Sequence, residues 1–477
     1  MLLWDLQKYG DLPAVVTEQG DCYSYHDLDQ MQKEFASHIQ LDLLVCIFAD
    51  NNLAALTAYL SCLAGGTVSL LIPAVNQPGP DDPIIQEYQP DYIWLPVEQH
   101  QKDETGWSGY REVISYFGYV LLECKSKGYR NLHPDLALLL PTSGSTGNPR
   151  LVRLSRHNLW SNTVSICGYM ELTRDDRAVT SLPLGYTYGL SVVNTILYSG
   201  GSLFLTKESS VSPAFWKHMD QYGVTVLSGV PYTYQCMEKL NINISSLKKL
   251  RTLTQAGGKL PEELQMYWGD CATRTGKHFF VMYGQTEATA RIAYLPWQDC
   301  LRKPGSVGVA IPDSELELVD REGNRIMEAY HEGEIICRGG HVSMGYAGRK
   351  EDLALGDVNR GCLYTGDTGH FDEDGYLYID GRMNRFAKIY GKRTDLGCVE
   401  KAASGIWGQE VTALSDDRKI YLYTDADVTA DALVQLGRDT GLGREVMEIR
   451  RMEEIPRQYN GKVDYRMQLS QALQNGG

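Results

Sequence analysis

The sequence has no Cys-x-x-Cys pair and no His/Cys cluster at zinc-ligand spacing, and its 11 cysteines are scattered. That argues against a disulfide framework and a structural zinc site, and makes a reducing cytoplasm the simplest setting. Basic residues are outnumbered: 45 Lys and Arg stand against 60 Asp and Glu, a net charge of -15. Nonspecific adhesion to nucleic acid or anionic lipid is thereby disfavoured, and no nucleic-acid partner is expected. The opening MLLWDLQKYGD reaches acidic residues and a glycine before any apolar core of signal-peptide length develops, so secretion has no support. Internal repeats and low-complexity tracts are missing, and the final QALQNGG reads as a frayed end.

Charge is also missing from residues 51–80, where LAALTAYLSCLAGGTVSLLIPAV is about long enough to cross a bilayer. Gly65 and Gly66 divide it into a short helix-like part and TVSLLIP, which has the look of a fully buried strand. Helix, turn and strand inside an α/β core are expected there, with no membrane span.

What is present is 477 residues with 43% hydrophobic and 22% charged composition, enough for two or more domains and a buried site. Short apolar strands, LLVCIFAD (43–50), VSLLIP (68–73) and YIWLP (92–96), alternate with helical segments. That is the pattern of βαβ units in a parallel sheet. ALLLPTS runs on to a helix expected over about Leu154 to Tyr169, GSLFLT to one before Gly223, and VTVLSGVP to one before Asn241. From about Gly305 the texture becomes turn-rich and strand-like, and YLYIDGRMNRFAKIYGKR, dense in Arg and Lys between glycines, marks a domain boundary.

Thr142, Ser143, Gly144, Ser145, Thr146 and Gly147 sit in a strand-following turn. Small residues there permit close backbone approach, while amides and hydroxyls supply the donors an anionic phosphate needs. A plain turn has the same composition. The Walker signature fails, because Asn148 follows Gly147 where a lysine is required.

PTSGSTGNPR resembles the core motif of the adenylate-forming superfamily, which includes acyl-CoA synthetases, peptide-synthetase adenylation domains and beetle luciferases. Further motifs resemble that family's in its order: SLPLGYTYGL (181–190), AGGKL (256–260), YGQTEATAR (283–291), GEIICRGGHVSMGY (333–346), LYTGDTGHFDEDGYLYIDGR (363–382) and NGKVDY (460–465). The resemblance spans nearly the whole chain. It implies that ATP and a carboxylic acid give an acyl adenylate and pyrophosphate, after which the acyl group passes to a thiol of coenzyme A or of a phosphopantetheine carrier protein acting in trans.

By this resemblance Lys462 bridges the acyl carboxylate and the α-phosphate, where positive charge meets two approaching anions. Glu287 matches the ligand of Mg²⁺, a hard carboxylate for a hard cation, and Thr286 a phosphate-contacting hydroxyl. Tyr283 lies along the adenine, Gly257 and Gly258 flank it, Asp367 accepts from both ribose hydroxyls, and Ile379 and Arg382 complete the nucleotide site. Tyr186, Thr187 and Val230 line the acyl pocket, which continues to Arg291; there a second anionic or polar group on the substrate, or a core carboxylate, would be its partner. The fold implied is α/β: two α/β subdomains plus a β-rich subdomain over residues 1–383, then a small mobile α+β domain, 384–477, hinged at Asn384. The active site falls between them, and rotation brings Lys388, Gly391 and Arg393 to the thiol half-reaction.

Several positions depart from the family's pattern. Arg150 and Leu151 stand where lysine and glycine are usual; Arg150 keeps a phosphate-matching fork. Thr187 stands where amino-acid activators commonly carry an aspartate, which favours an acid without an α-amino group, because a buried ammonium without a carboxylate is costly. Asn384 replaces the usual hinge Asp or Lys, and Cys398 lies in a motif where only Glu400 keeps its acidic place. An acid-thiol ligase is the leading expectation. An amino-acid adenylating, carrier-loading ligase and a catalytically silent nucleotide-binding protein remain open, as does, more remotely, a luciferase-like oxidation.

Overall fold

The computed structural model describes residues 4–103, 105–125, 131–142, 150–320, 322–382, 386–389, 392–415, 419–452, 454–457, 463, 465, 467 and 468. The chain forms two compact units, one of residues 1–315 and 337–363, the other of 316–336 and 364–477.

The first unit holds two sheets. In one the strands run in the order Tyr346–Ala347, Leu151–Ser155, Leu136–Pro141, Val68–Pro73, Leu44–Ala49, Tyr92–Pro96, Tyr119–Cys124, Tyr110–Tyr116. Its four central strands, Leu136–Pro141 through Tyr92–Pro96, are parallel. They are continuous apolar runs, as strands buried on both faces must be. In the other sheet Pro13–Thr17, Ser202–Leu205, Arg177–Val179, Val226–Gly229, Thr252–Gln255 and His278–Tyr283 run parallel, and Ala293–Leu295 and Ser306–Ala310 continue it antiparallel. The three segments expected as strands at 43–50, 68–73 and 92–96 fall within one residue of their places.

The charge-free run folds as expected. Asn52 caps helix Leu53–Gly65 by accepting from the Ala55 amide, and Gly66, at φ 82°, ends it in the left-handed region. Leu53 through Leu63 are all buried, the mark of a helix lost in a core rather than one facing water on a side. Ala55 and Tyr59 share one apolar cluster with Val45 and Ile47 of one sheet and Val15, Leu203 and Val226 of the other. Among the described residues, no helix is long and apolar enough to cross a membrane.

One local expectation needs correcting. The helix expected from Leu154 begins at Arg156, capped by Ser155 and Asn158 in a reciprocal box, because Leu151–Ser155 pairs antiparallel with Leu136–Pro141. Residues 142–150 therefore connect two strands. They do not open directly onto a helix.

The second unit includes strands in the order Arg325–Ile326, Ser314–Val319, Gly333–Gly339, Cys362–Phe371, Leu377–Arg382, of which the first two and the last two pair antiparallel. The hairpin Phe386–Ile389 with Lys392–Asp395, helices Leu396–Trp407 and Ala430–Thr440, and the sheet Thr412–Ser415, Ile420–Thr424, Met447–Arg451 follow. Leu396, Val399, Ala413, Leu422 and Leu436 close their core.

Candidate active site

In open α/β sheets ligands bind beyond the carboxyl ends of the parallel strands. Most of the first unit's expected site residues stand there. Tyr186 and Thr187 follow strand Arg177–Val179, Val230 follows Val226–Gly229, Gly257 and Gly258 follow Thr252–Gln255, and Tyr283 ends His278–Tyr283. Tyr186 directly precedes helix Thr187–Ser199 without a side-chain bond to it, and both it and Val230 are buried. Gly257 has φ +85°, and a Cβ there would lie 2.5 Å from Tyr186 Oη and 3.2 Å from Val230 Cγ1. Only glycine lets those three segments meet.

After the half-buried Tyr283 the chain makes a tight hook. A Cβ on Gly284 would collide with the Ala290 carbonyl, so the hook closes on itself through glycine. Thr286–Ala288 is a single 3-10 turn, and Thr289 follows at φ 64°, ψ -47°, a strained conformation for a β-branched residue. The hydroxyl of Thr289 donates to the His341 carbonyl at 2.6 Å, and the Ser343 amide donates to the Glu287 carbonyl at 2.9 Å. Such strain persists only where the surroundings over-determine it. Its result is that the Thr286 hydroxyl lies 2.8 Å from that of Thr187, and Glu287 Oε1 accepts from Tyr346 Oη at 2.6 Å.

Glu287 fits Mg²⁺ in one particular way. Among the described residues, no group of three or more His, Cys, Asp or Glu gathers to hold a metal. A lone, half-buried carboxylate suits an ion that keeps waters and arrives on nucleotide phosphates, rather than one caged by protein.

The hook also delivers Arg291 to the interior, where it is 3% exposed. Asn162 clamps its backbone, accepting from its amide at 3.3 Å and donating to its carbonyl at 3.0 Å. The guanidinium lies 3.9 Å over the Tyr188 ring, and its Nε donates to Met282 Sδ at 3.3 Å. Burial pushes the Tyr188 hydroxyl's pKa up, and the Arg291 charge opposes that rise.

At the glycine-rich loop, Thr142 donates its amide to the Arg150 carbonyl at 3.2 Å, and the Arg150 side chain is exposed. Ser143, Gly144, Ser145, Thr146 and Gly147 lie outside the described residues, as do Asn384, Gly391 and Lys462. In the second unit Asp367 is 3% exposed and accepts from Arg382 Nε at 2.7 Å. The two are opposite in register, as are Gly369 and the half-buried Ile379. Asp367 thus has an opposite-charge partner, Arg382, on the neighbouring strand. Lys388 and Arg393 are opposite one another in the backbone register of the short hairpin.

Sequence reasoning missed Tyr346 as the partner of Glu287, although it ends the quoted 333–346 segment, and missed Arg153. Arg153 is fully buried, and its guanidinium donates to the carbonyls of Met344, Tyr346, Leu355 and Gly356. A cavity of about 320 Å³ at the start of helix Arg156–Met170, lined by Asp135, Arg156, His157, Gly340 and Asp357, involves none of the expected residues.

The model of the family described as "AMP-binding enzyme" matches residues 2–347. Feruloyl-CoA synthase of Amycolatopsis sp is 32% identical over 284 residues, 59% of this chain and 56% of that protein, so the match spans little more than half of the relative's length. Sulfoacetate–CoA ligase of Cupriavidus necator is 31% identical over 348 residues, 69% of this chain and 66% of that protein. Among solved structures, ATP-bound MatB from Rhodopseudomonas palustris superposes with a TM-score of 0.80 at 22% identity, covering 99% of each chain.

Proposed function

The chain belongs to the AMP-binding enzyme family, and from that premise we propose that it is an AMP-forming acid-thiol ligase, converting a carboxylic acid without an α-amino group to its coenzyme A thioester. In the first half-reaction a carboxylate oxygen of the acid attacks the α-phosphorus of ATP, and the bond to pyrophosphate breaks. In the second, the thiol sulfur attacks the acyl carbonyl, AMP leaves with the oxygen, and the thiol proton is released.

The observation that carries this function is the convergence of Tyr186, Gly257 and Val230 with the hook bearing Thr286 and Glu287 at the ends of parallel strands. Each group has chemistry to match. The Tyr186 hydroxyl against Gly257, with Val230 beside it, would form a wall of the acyl pocket. Thr286, held by Thr187, presents a hydroxyl to phosphate oxygens. Glu287, held by Tyr346, would carry the Mg²⁺ whose charge offsets that of the triphosphate. Lys462 would supply the cation at the reacting carboxylate, Arg150 a fork for the departing pyrophosphate, and Asp367 with Arg382 the ribose contact. The segment 384–477 would turn about Asn384 to exchange Lys462 for the strand of Lys388, Gly391 and Arg393, one domain serving both half-reactions. The relatives' names, feruloyl-CoA synthase and sulfoacetate–CoA ligase, support coenzyme A as the acceptor, and the scattered cysteines support a cytoplasmic setting.

The test is pyrophosphate release across short, long, aromatic and dicarboxylic acids, with coenzyme A present or absent, by wild-type protein and Lys462→Ala. Release with at least one simple acid, falling by roughly 100-fold or more in the variant, is expected. Equal, negligible release by both proteins would refute a ligase.

A further inference from the structure

Arg291 sits in an environment that this protein gives to no other buried arginine among the described residues. Arg153 is satisfied by four carbonyls. Arg251, part-buried, is held by both oxygens of Asp176 at 2.8 Å. Arg291 makes no ion pair among the described residues, and its only side-chain hydrogen bond runs from Nε to the Met282 sulfur. A thioether is a weak acceptor, so among the described residues none of the five guanidinium N–H donors meets a protein oxygen and four have no acceptor. The Tyr188 face offsets part of the lost hydration, but a buried cation requires an anion or a full set of hydrogen bonds.

Nor is the position accidental. The strained Thr289 turn and the Asn162 clamp together fix the backbone at Arg291, so the chain accepts local strain to hold a cation there. Its platform belongs to the same strand-end cleft. Tyr188 directly follows Thr187, whose hydroxyl meets Thr286, and its own hydroxyl lies 2.7 Å from Thr254 Oγ1, three residues before Gly257.

We propose that the acid activated by this chain carries a second anionic group, a carboxylate or sulfonate, which pairs with Arg291. The inference rests on the ligase function above and narrows its substrate class. The reacting carboxylate goes to the nucleotide; the second anion lies against the guanidinium and takes up the free N–H donors, so an uncharged end in its place would leave Arg291 unpaired. Selectivity arises from that asymmetry, since a site built for a charged partner rejects the analogue that lacks it.

The experiment compares matched pairs: succinate with butyrate, glutarate with valerate, terephthalate with benzoate, 3-sulfopropionate with butyrate. The readout is kcat/KM for acid-dependent pyrophosphate release by wild type, Arg291→Met, Arg291→Gln and Arg291→Lys, each checked for a cooperative melt. Wild type is expected to favour the dianion in at least one pair by roughly 10- to 100-fold, the worth of charged hydrogen bonds. The ratio should fall to near one in the Met and Gln variants and recover in part with Lys. Preference for the monoanion in every pair, or a ratio unmoved by both neutral variants, overturns the proposal while the ligase function stands. Absence of release with any acid overturns both.

Discussion

Tyr346 Oη donates a 2.6 Å hydrogen bond to Glu287 Oε1 across 59 residues of sequence. The hydroxyl fixes the carboxylate's orientation and leaves Oε2 for another partner, which is how an outer hydrogen bond tunes a metal-binding group. If Glu287 carries Mg²⁺, Tyr346→Phe should raise the Mg²⁺ concentration for half-maximal pyrophosphate release by roughly 10-fold, with activity recovered by excess ion. Glu287→Gln should not be recovered in that way. Superposable Mg²⁺ titrations for wild type and Tyr346→Phe would show that the hydroxyl has no such role.

Behind Tyr346 stands Arg153, whose guanidinium gathers the carbonyls of Met344, Tyr346, Leu355 and Gly356. Burial lowers its pKa from the usual arginine range, and Asp352 and Asp357 oppose that shift. Arg153→Met keeps the volume and removes the donors. Each carbonyl left unpaired costs about 1–3 kcal/mol, so the unfolding midpoint in urea should fall clearly. The surviving folded enzyme should also show the weakened Mg²⁺ response of Tyr346→Phe. A destabilised variant with normal Mg²⁺ dependence would confine Arg153 to folding.

These two residues mark where sequence reading stopped. Continuous apolar runs and paired glycines are local signals, so the parallel strands, the Leu53–Gly65 helix and its Gly66 stop were legible. Leu151–Ser155 was not, because Arg153 breaks its apolar run and the carbonyls that make a buried arginine tolerable there lie 191 to 203 residues away. The glycine-rich motifs pointed to the strand-end cleft. The unmatched charge of Arg291 could not be read in advance, since a missing carboxylate is a fact of three dimensions.

Gly257 tests the pocket wall itself. Any side chain there would be strained at φ +85° and pressed against Tyr186 Oη. Gly257→Ala should therefore raise KM for ATP and for the acid together, and lower stability by roughly 1 kcal/mol. Adding Tyr186→Phe removes the hydroxyl nearest the new methyl, and recovery of part of the KM loss is expected. If the double variant is no better than the single, the strain is in the backbone alone.

His341 makes the hook sensitive to acid. Its carbonyl receives the Thr289 hydroxyl, its Nε2 lies 3.3 Å from Cys337 Sγ, and its ring is 1% exposed. Burial holds its pKa down from 6.5 to about 4. In the unfolded chain the ring takes a proton below about 6.5, whereas the folded ring stays neutral until about 4. Between those values the unfolded state binds more protons, so stability falls as pH falls, by about 3 kcal/mol over the whole window, and levels off below it. His341→Leu should flatten that part of the curve while leaving the slope above pH 7 alone. Urea unfolding of both proteins from pH 8 to pH 4 decides the matter: parallel curves would mean that the buried ring does not couple folding to acid.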